Sequence, residues 1–270
     1  MKTRVISAAV FLPILLIVLL ALPEIFTAIL VGLMAAIGAY ELLYPTGLVR
    51  HTRLVIYSAV AAFLVCLWCH LDMERAWGVL GIVALLSVLF AEMMIDHVKV
   101  SFEKVVYCLV ASLLIPLLFA SLIRILNGEN GRYVVVIPLI LAFIPDSGAY
   151  FAGRYFGKHK LAPVISPKKT IEGAIGGAAV AVLGMLLYAF IMDIAFSVEV
   201  SYTAALLYGI LGAAADVFGD LMFSSIKRQT GIKDYGNLIP GHGGILDRFD
   251  SMLMVAPLTE ALLLLLPVVV

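Results

Sequence analysis

Long apolar runs alternate with short polar connectors along almost the entire chain. A helix needs about 20 apolar residues to cross the hydrocarbon core of a bilayer. The runs are continuous rather than alternating between polar and apolar positions, which favours helices over the strands of a membrane barrel. The pattern predicts nine membrane-spanning helices, at residues 5–22, 25–44, 54–70, 76–93, 104–126, 133–152, 171–192, 202–223 and 251–269.

Composition supports this interpretation. The chain has 270 residues, of which 63% are hydrophobic and 13% are charged, whereas soluble domains are about half apolar and about a quarter charged. A soluble fold of this size could not bury so much apolar surface. We therefore predict an all-α, polytopic membrane protein. The run at 5–22 exceeds a usual signal-peptide core and lacks a small-residue cleavage site, so it is interpreted as a retained first helix.

The distribution of charge predicts an orientation. Formal net charge is zero, which implies no nucleic-acid partner. With a cytoplasmic N-terminus, fifteen of the 18 Lys and Arg residues fall in cytoplasmic segments. The positive-inside rule therefore predicts a cytoplasmic N-terminus and a C-terminus on the opposite side. Cys66, Cys69 and His70 could form a metal site, but small apolar helix residues are the preferred interpretation, because no second ligand pair follows.

Two long polar segments interrupt the second half of the chain, at 153–170 and 224–250, and the charge count assigns both to the cytoplasm. Residues that could perform chemistry are concentrated there. The chain is therefore predicted to consist of an N-terminal transmembrane scaffold of about five helices, 1–130, and a catalytic transmembrane region of about four helices, 131–270.

Aspartates near the cytoplasmic ends of the late helices are candidate metal ligands. Asp216 and Asp220 are four residues apart, which puts both on one helix face. Two like charges beside hydrocarbon need a cation or a proton, unless they simply reach towards water at a helix end. Asp247 follows two glycines in the second polar segment. We predict that Asp220 and Asp247 together hold a hard cation such as Mg²⁺ or another divalent metal.

Three further aspartates extend this prediction. Asp216 and Asp250 are expected to complete or orient the metal site, or to help hold a second cation. Asp250 could instead be an N-cap of the last helix. Asp146 lies between a proline and a glycine in the sixth predicted span. These two residues can open a helix locally, and we expect the Asp146 carboxylate to line the site. A structural hydrogen-bonding role for Asp146 is the alternative.

Cations and glycines in the two polar segments are candidate phosphate ligands. Lys168 and Lys169 precede a predicted helix N-terminus, where anions are favoured, and Thr170 is expected to cap that helix. The lysines could also merely follow the positive-inside bias. Glycine amides can approach a phosphate closely, and His242 could act on a proton, contact phosphate or be structural. The predicted substrate-binding residues are Ser166, Lys168, Lys169, Thr170, Lys227, Arg228, Lys233, His242, Gly243, Gly244 and Arg248.

The second polar segment resembles the signature of the phosphatidate cytidylyltransferases, also called CDP-diacylglycerol synthases. The matching residues are Ser224-x-Ile226-Lys227-Arg228, Lys233-Asp234-x-Gly236 and Pro240-x-His242-Gly243-Gly244-x-x-Asp247-Arg248-x-Asp250. The resemblance extends upstream to Asp146, 153–158 and 166–173, and so covers roughly 140–251. The N-terminal half resembles the family only in length and hydropathy.

The resemblance implies a reaction in which CTP and phosphatidic acid give CDP-diacylglycerol and pyrophosphate, early in phospholipid synthesis. It also implies a Mg²⁺ requirement, a polytopic fold in the cell membrane with a cytoplasmic active site, and a homodimer. Within this reaction the residues expected to be catalytic are Asp220, Asp247, Lys168, Lys169 and Arg248.

Two other functions remain open at this stage. A CTP-dependent kinase of a polyprenol or another lipid alcohol resembles this family distantly, although the Asp247-Arg248-x-Asp250 motif favours the cytidylyltransferase. An ion-coupled transporter could use Asp146, Asp216 and Glu260 as a cation path. Such transporters are typically built from repeated halves, and the sequence contains no such repeat.

Overall fold

The computed structural model describes residues 13–71, 73–239, 241 and 243–269. Within these residues the regular structure is helical apart from one hairpin, which confirms the predicted all-α class. The helices are α1 (13–20), α2 (Glu24–Leu43), α3 (Thr52–Leu71), α4 (Arg75–Ile95), α5 (Phe102–Leu109), α6 (Ile115–Phe119), α7 (Ser121–Asn127), α8 (Gly131–Val134), α9 (Val136–Phe156), α10 (Ile171–Phe196), α11 (Tyr202–Gln229), α12 (Leu246–Phe249) and α13 (Met252–Leu265), with a π-helical turn at Val110–Leu114.

Seven helical stretches of the described chain are long and apolar enough to cross a membrane. They are Glu24–Leu43, Thr52–Leu71, Arg75–Ile95, Phe102–Asn127, Gly131–Phe156, Ile171–Phe196 and Tyr202–Gln229. Each corresponds to one predicted span, so the polytopic membrane class is confirmed. The predicted first span lies largely outside the described residues, and the predicted last span contains the 14-residue helix α13. The count of nine and the orientation stay predictions.

The chain forms two compact units. One unit contains the described residues up to Asn127 together with Gln229–Phe249, and the other contains Gly128–Arg228 and the residues from Asp250 onward. The boundary at 127 falls close to the predicted one at 130. The segment 229–249 groups with the N-terminal unit, although in sequence it falls within the predicted catalytic region 131–270. The division into scaffold and catalytic regions stays a prediction.

Helix α2 carries the segment 229–249 in the first unit. Small side chains such as Ala35 and Ala39 are buried on this helix. A Cβ added to Gly38 would lie 3.1 Å from Leu246 Cδ2, so α12 packs closely against α2. The Phe249 ring meets the Phe119 ring edge-on at 6.3 Å between centroids. Apolar contacts therefore anchor the C-terminal end of this polar segment.

In the second unit, α9 and α10 pack along a line of glycines. A Cβ on Gly148 would lie 2.7 Å from Val180 Cγ2, and one on Gly177 would lie 3.0 Å from the carbonyl oxygen of Pro145. Small residues let two backbones approach this closely, as is common between membrane helices. Helix α9 runs without interruption through Pro145, so Pro145 and Gly148 do not open the helix around Asp146. The neighbouring α10 packs against the same stretch.

The two predicted loops are more ordered than expected. In 153–170, α9 continues to Phe156 and the rest contains an antiparallel hairpin of β1 (Lys160–Ala162) and β2 (Ser166–Thr170). In 224–250, α11 continues to Gln229, and α12 forms near the end. Lys227 and Arg228 extend α11 beyond its apolar run, because both are good helix formers and cations favour a helix C-terminus.

Candidate active site

A cavity of about 350 Å³ lies within the second unit. It is enclosed by the C-terminal half of α9, the hairpin, the start of α10 and the middle of α11. Its polar lining is contributed by Asp146, Tyr150, Arg154, Lys168, Lys169, Thr170 and Asp216. The cavity therefore places two lysines and an arginine, which bind phosphate, beside two aspartates, whose oxygens are suitable ligands for a divalent cation.

The hairpin is held against α10 and α11 by polar contacts. Thr170 Oγ1 accepts a hydrogen bond of 3.1 Å from Gly173 N, which confirms the predicted cap of α10. Lys169 Nζ lies 2.5 Å from a carboxylate oxygen of Asp220, and both side chains are about a quarter exposed. Arg228 Nε donates to the carbonyl oxygen of Ile165 at 3.1 Å. These contacts fix where β2 presents its lysines.

Asp216 is the most enclosed acidic group of this cavity, with 2% of its surface exposed. Its Oδ1 has no hydrogen-bond partner among the described residues, although buried oxygens nearly always have one. Asp146 and Asp220 lie close enough to repel its charge, and Lys169 close enough to attract it. Asp146, Asp216 and Asp220 therefore concentrate negative charge, and Lys169 offsets only part of it.

Asp250 joins this acidic group from the start of the last helical region. Its carboxylate accepts a hydrogen bond of 2.9 Å from Ser251 N, and the N-cap position of α13 belongs to Ser251. The N-cap alternative for Asp250 is therefore wrong. Burial, followed by the negative charge of Asp220, raises the pKa of Asp250 to about 7, against the attraction of Lys227. The charged form of Asp250 is thus disfavoured without further cations.

The oxygen atoms of these carboxylates are suitable ligands for a hard cation such as Mg²⁺. Among the described residues, no three His, Cys, Asp or Glu side chains converge closely enough to form a metal site by themselves. Mg²⁺ does not need such a cage, because it usually takes one or two carboxylates and completes its shell with water and phosphate oxygens. The unpartnered buried oxygen of Asp216 fits that requirement.

The segment 229–249, in the first unit, is organised around Asp247. Asp247 Oδ2 accepts hydrogen bonds from Tyr235 N at 2.7 Å and from Gly244 N at 3.0 Å. The turn between them is closed by Ile239 N, which donates to the Gly243 carbonyl oxygen at 2.8 Å. Gly243 has φ +90°, a conformation that strongly favours glycine. One aspartate oxygen therefore ties together residues that are nine positions apart.

A second carboxylate, from α2, binds the same segment. Glu41 Oε1 accepts a hydrogen bond from Ile245 N at 3.0 Å, and its Oε2 accepts one from Leu246 N at 2.8 Å. Only 2% of Glu41 is exposed. Glu41 lies near the end of α2. Its contact with a segment more than 200 residues away was not predicted.

Comparison with known proteins identifies the family. The sequence model of the cytidylyltransferase family matches residues 2–266. The chain belongs to this family. It is also 32% identical over 263 residues to proteins named phosphatidate cytidylyltransferase from Staphylococcus haemolyticus (strain JCSC1435) and Staphylococcus aureus (strain COL), which covers 97% of each chain. The predicted resemblance is confirmed, and it extends well beyond 140–251 into the N-terminal half.

In this cytidylyltransferase-family chain, the predicted site residues fall in both units. The hairpin and α11 carry Ser166, Lys168, Lys169, Thr170, Asp216, Asp220, Lys227 and Arg228, and the first unit carries Lys233, Gly243, Gly244, Asp247 and Arg248. Lys168, Lys233 and Arg248 are exposed, as cations that meet a soluble nucleotide should be. His242 lies outside the described residues. The catalytic, binding and metal roles of all these residues stay predictions.

Tyr150, Arg154 and Glu41 have no role among the sequence predictions, although Arg154 lies within 153–158, a stretch that resembles the family. Arg154 and Tyr150 line the cavity, and Arg154 Nη1 donates to Tyr150 Oη at 3.0 Å. Their i, i+4 spacing on a predicted helix end was a usable signal. Glu41 lies near the end of α2. A carboxylate at the end of an apolar helix needs a partner, and that rule could have marked it.

Proposed function

We propose that this protein is an integral membrane nucleotidyltransferase that converts CTP and phosphatidic acid to CDP-diacylglycerol and pyrophosphate. The observation that carries the proposal is the similarity to phosphatidate cytidylyltransferases over 97% of the chain. The cavity with two lysines, one arginine and two aspartates supports it, because both reactants are phosphate anions.

The proposed reaction needs no protein nucleophile. An ionised phosphate oxygen of phosphatidic acid attacks the α-phosphorus of CTP, and the bond from that phosphorus to the bridging oxygen of the β-phosphate breaks. Pyrophosphate leaves with the bonding electrons. Because the nucleophile is already charged, no general base is required, and His242 is expected to matter less than the metal-binding aspartates.

Cations of the site lower the repulsion between the two anionic reactants. Lys168 and Lys169 lie on a strand that is fixed to α10 and α11, which favours a constant position relative to bound phosphates. Arg248 contributes a planar group suited to two phosphate oxygens, with Lys227, Arg228 and Lys233 as further phosphate ligands. Lys169 also forms an ion pair with Asp220. Because one lysine would serve both contacts, phosphate binding is expected to weaken or replace that ion pair.

Asp220 and Asp247 are the proposed Mg²⁺ ligands, with Asp146, Asp216 and Asp250 completing or orienting the site or helping to hold a second cation. When bound, Mg²⁺ would neutralise triphosphate oxygens and stabilise the charge on the departing pyrophosphate. The unpartnered oxygen of Asp216 and the disfavoured charge of Asp250 support a cation among these carboxylates.

The proposed location is the cytoplasmic membrane, with the active site facing the cytoplasm. Phosphatidic acid keeps its acyl chains in lipid and its head group at the interface, while CTP arrives from water. The excess of Lys and Arg in the predicted cytoplasmic segments supports this orientation. A homodimer is proposed from the family resemblance alone.

The test is incubation of purified protein with phosphatidic acid and CTP that carries label in either the α- or the γ-phosphate. Transfer of α-label to lipid, with release of labelled pyrophosphate from γ-labelled CTP, is the expected result. Transfer of γ-label to a polyprenol or another lipid alcohol would instead indicate the lipid kinase. Absence of both transfers, together with solute flux in vesicles, would contradict the enzyme and favour the transporter.

A further inference from the structure

We infer that Glu41 is a positioning residue for the proposed reaction: its carboxylate holds the segment 229–249 in the shape that sets Asp247 and Arg248. The inference rests on the proposed function, since it concerns how that reaction's residues are held. Glu41 belongs to α2, in the half of the chain that sequence analysis treated as scaffold.

Both carboxylate oxygens of Glu41 accept hydrogen bonds from consecutive amides, Ile245 N and Leu246 N. These amides open the short helix α12, where backbone N–H groups have no acceptor within the helix. Asp247 and Arg248 follow directly. A shift of Glu41 would therefore be transmitted through one or two peptide units to both residues.

Glycine occupies both positions that lie directly beside the Glu41 carboxylate, Gly236 and Gly244. A Cβ on Gly236 would be 2.5 Å from Glu41 Oε1, and a Cβ on Gly244 would overlap with the same carboxylate. Neither glycine has a positive φ. Space for the carboxylate, rather than backbone conformation, therefore explains glycine at both positions.

The carboxylates of Asp247 and Glu41 bind the same short stretch of backbone. Gly244 N donates to Asp247, whereas Ile245 N and Leu246 N donate to Glu41. Three successive amides thus bind two buried acids. Since Asp247 also accepts from Tyr235 N, the orientation of Asp247 and the attachment of the segment to α2 are parts of one hydrogen-bonded network.

Burial argues against an incidental contact. A carboxylate that is almost fully enclosed at the end of an apolar helix is unfavourable unless its charge is well solvated by protein groups. Glu92 in α4 offers a comparison in the same unit. It is also buried, but it accepts from Tyr57 Oη at 3.2 Å and lies 3.6 Å from Arg53 Nη1, remote in sequence from the segment 229–249.

The experiment compares Glu41→Gln with the matched control Glu92→Gln in full-length protein. Glutamine keeps the shape but turns an NH₂ group towards a backbone N–H, so one of the two hydrogen bonds is lost. We expect kcat for α-label transfer to fall about 10-fold or more, with little change in KM for phosphatidic acid, and the Mg²⁺ concentration for half-maximal activity to rise. Hydrogen exchange should quicken in peptides covering 235–246. Glu92→Gln should leave all four quantities within about twofold.

A second variant covers the case in which Glu41→Gln fails to fold. Gly236→Ala keeps the charge of Glu41 but displaces its carboxylate, because the added Cβ would lie 2.5 Å from the movable Glu41 Oε1. The same Cβ would lie 3.2 Å from Gly244 Cα, so the variant also presses on the backbone that Glu41 holds. It should reproduce the loss of kcat and the changed Mg²⁺ dependence. Wild-type kcat and Mg²⁺ dependence in both variants would overturn the inference, even if exchange in 235–246 became faster. If wild-type protein transfers no α-label, the proposed function fails first, and this inference fails with it.

Discussion

The close packing of α9 against α10, next to Asp146, can be tested by adding a single methyl group at Gly148. Gly148→Ala introduces a Cβ that would lie 2.7 Å from Val180 Cγ2 and 2.8 Å from Val180 Cβ. Carbon atoms in contact prefer about 3.5–4.0 Å, so the helices must separate locally by about 1 Å. Val180 Cβ is attached directly to the backbone of α10, and a change of rotamer cannot relieve the contact.

Gly184→Ala is the matched control in the same interface. Its Cβ would meet Ile140 Cγ2 at 3.4 Å, an ordinary contact. Both substitutions gain the same helix propensity, about 0.5–1 kcal/mol, so this contribution cancels in the comparison. Overpacking costs about 1–3 kcal/mol. Gly148→Ala should therefore be less stable than Gly184→Ala by about 1–3 kcal/mol.

Activity should respond more strongly than stability. A displacement of about 1 Å in a catalytic group can lower a rate by about 100-fold, and Asp146 is two residues from the added methyl. Reversible unfolding in mixed micelles measures the stability difference, and α-label transfer from CTP to lipid measures the rate. Equal stability and equal rates for the two alanine variants would refute the close packing of α9 on α10 as the determinant of this site.

Three further predictions test other parts of the molecule. Asp220→Asn and Asp247→Asn should each abolish Mg²⁺-dependent α-label transfer while the protein still folds; near-normal turnover in either variant would remove that residue from the metal site. Thr170→Ala should lower the free energy of unfolding by about 1 kcal/mol through loss of the α10 cap, and Thr170→Ser should not. Because burial raises the pKa of Asp250 in the folded state, metal-free protein should lose stability as pH rises from about 4 to about 7. Thermal melts in chelator measure this, and an undiminished slope in Asp250→Asn would exclude Asp250 as its source.

Features that depend only on residues close together in the sequence could be predicted from the pattern of polar and apolar positions. The apolar runs located seven helices within a few residues, because each membrane helix satisfies its own backbone hydrogen bonds. The Thr170 cap was predictable for the same reason, since Thr170 and Gly173 are three residues apart. Asp216 and Asp220 were correctly expected on one face of a helix. The hairpin β1–β2 was missed, because its short strands carry no clear alternation of polar and apolar residues.

The membrane class, the family and the list of residues with the chemistry for a phosphate and metal site can all be derived from the amino-acid sequence. These follow from composition, periodicity and motif, which are properties of the chain read in order. The partners of the charged groups become apparent in the folded protein: Lys169 pairs with Asp220, and the amides of Ile245 and Leu246 pair with Glu41. Such contacts join residues 51 to 205 positions apart, and they depend on how closely packed helices bring those positions together.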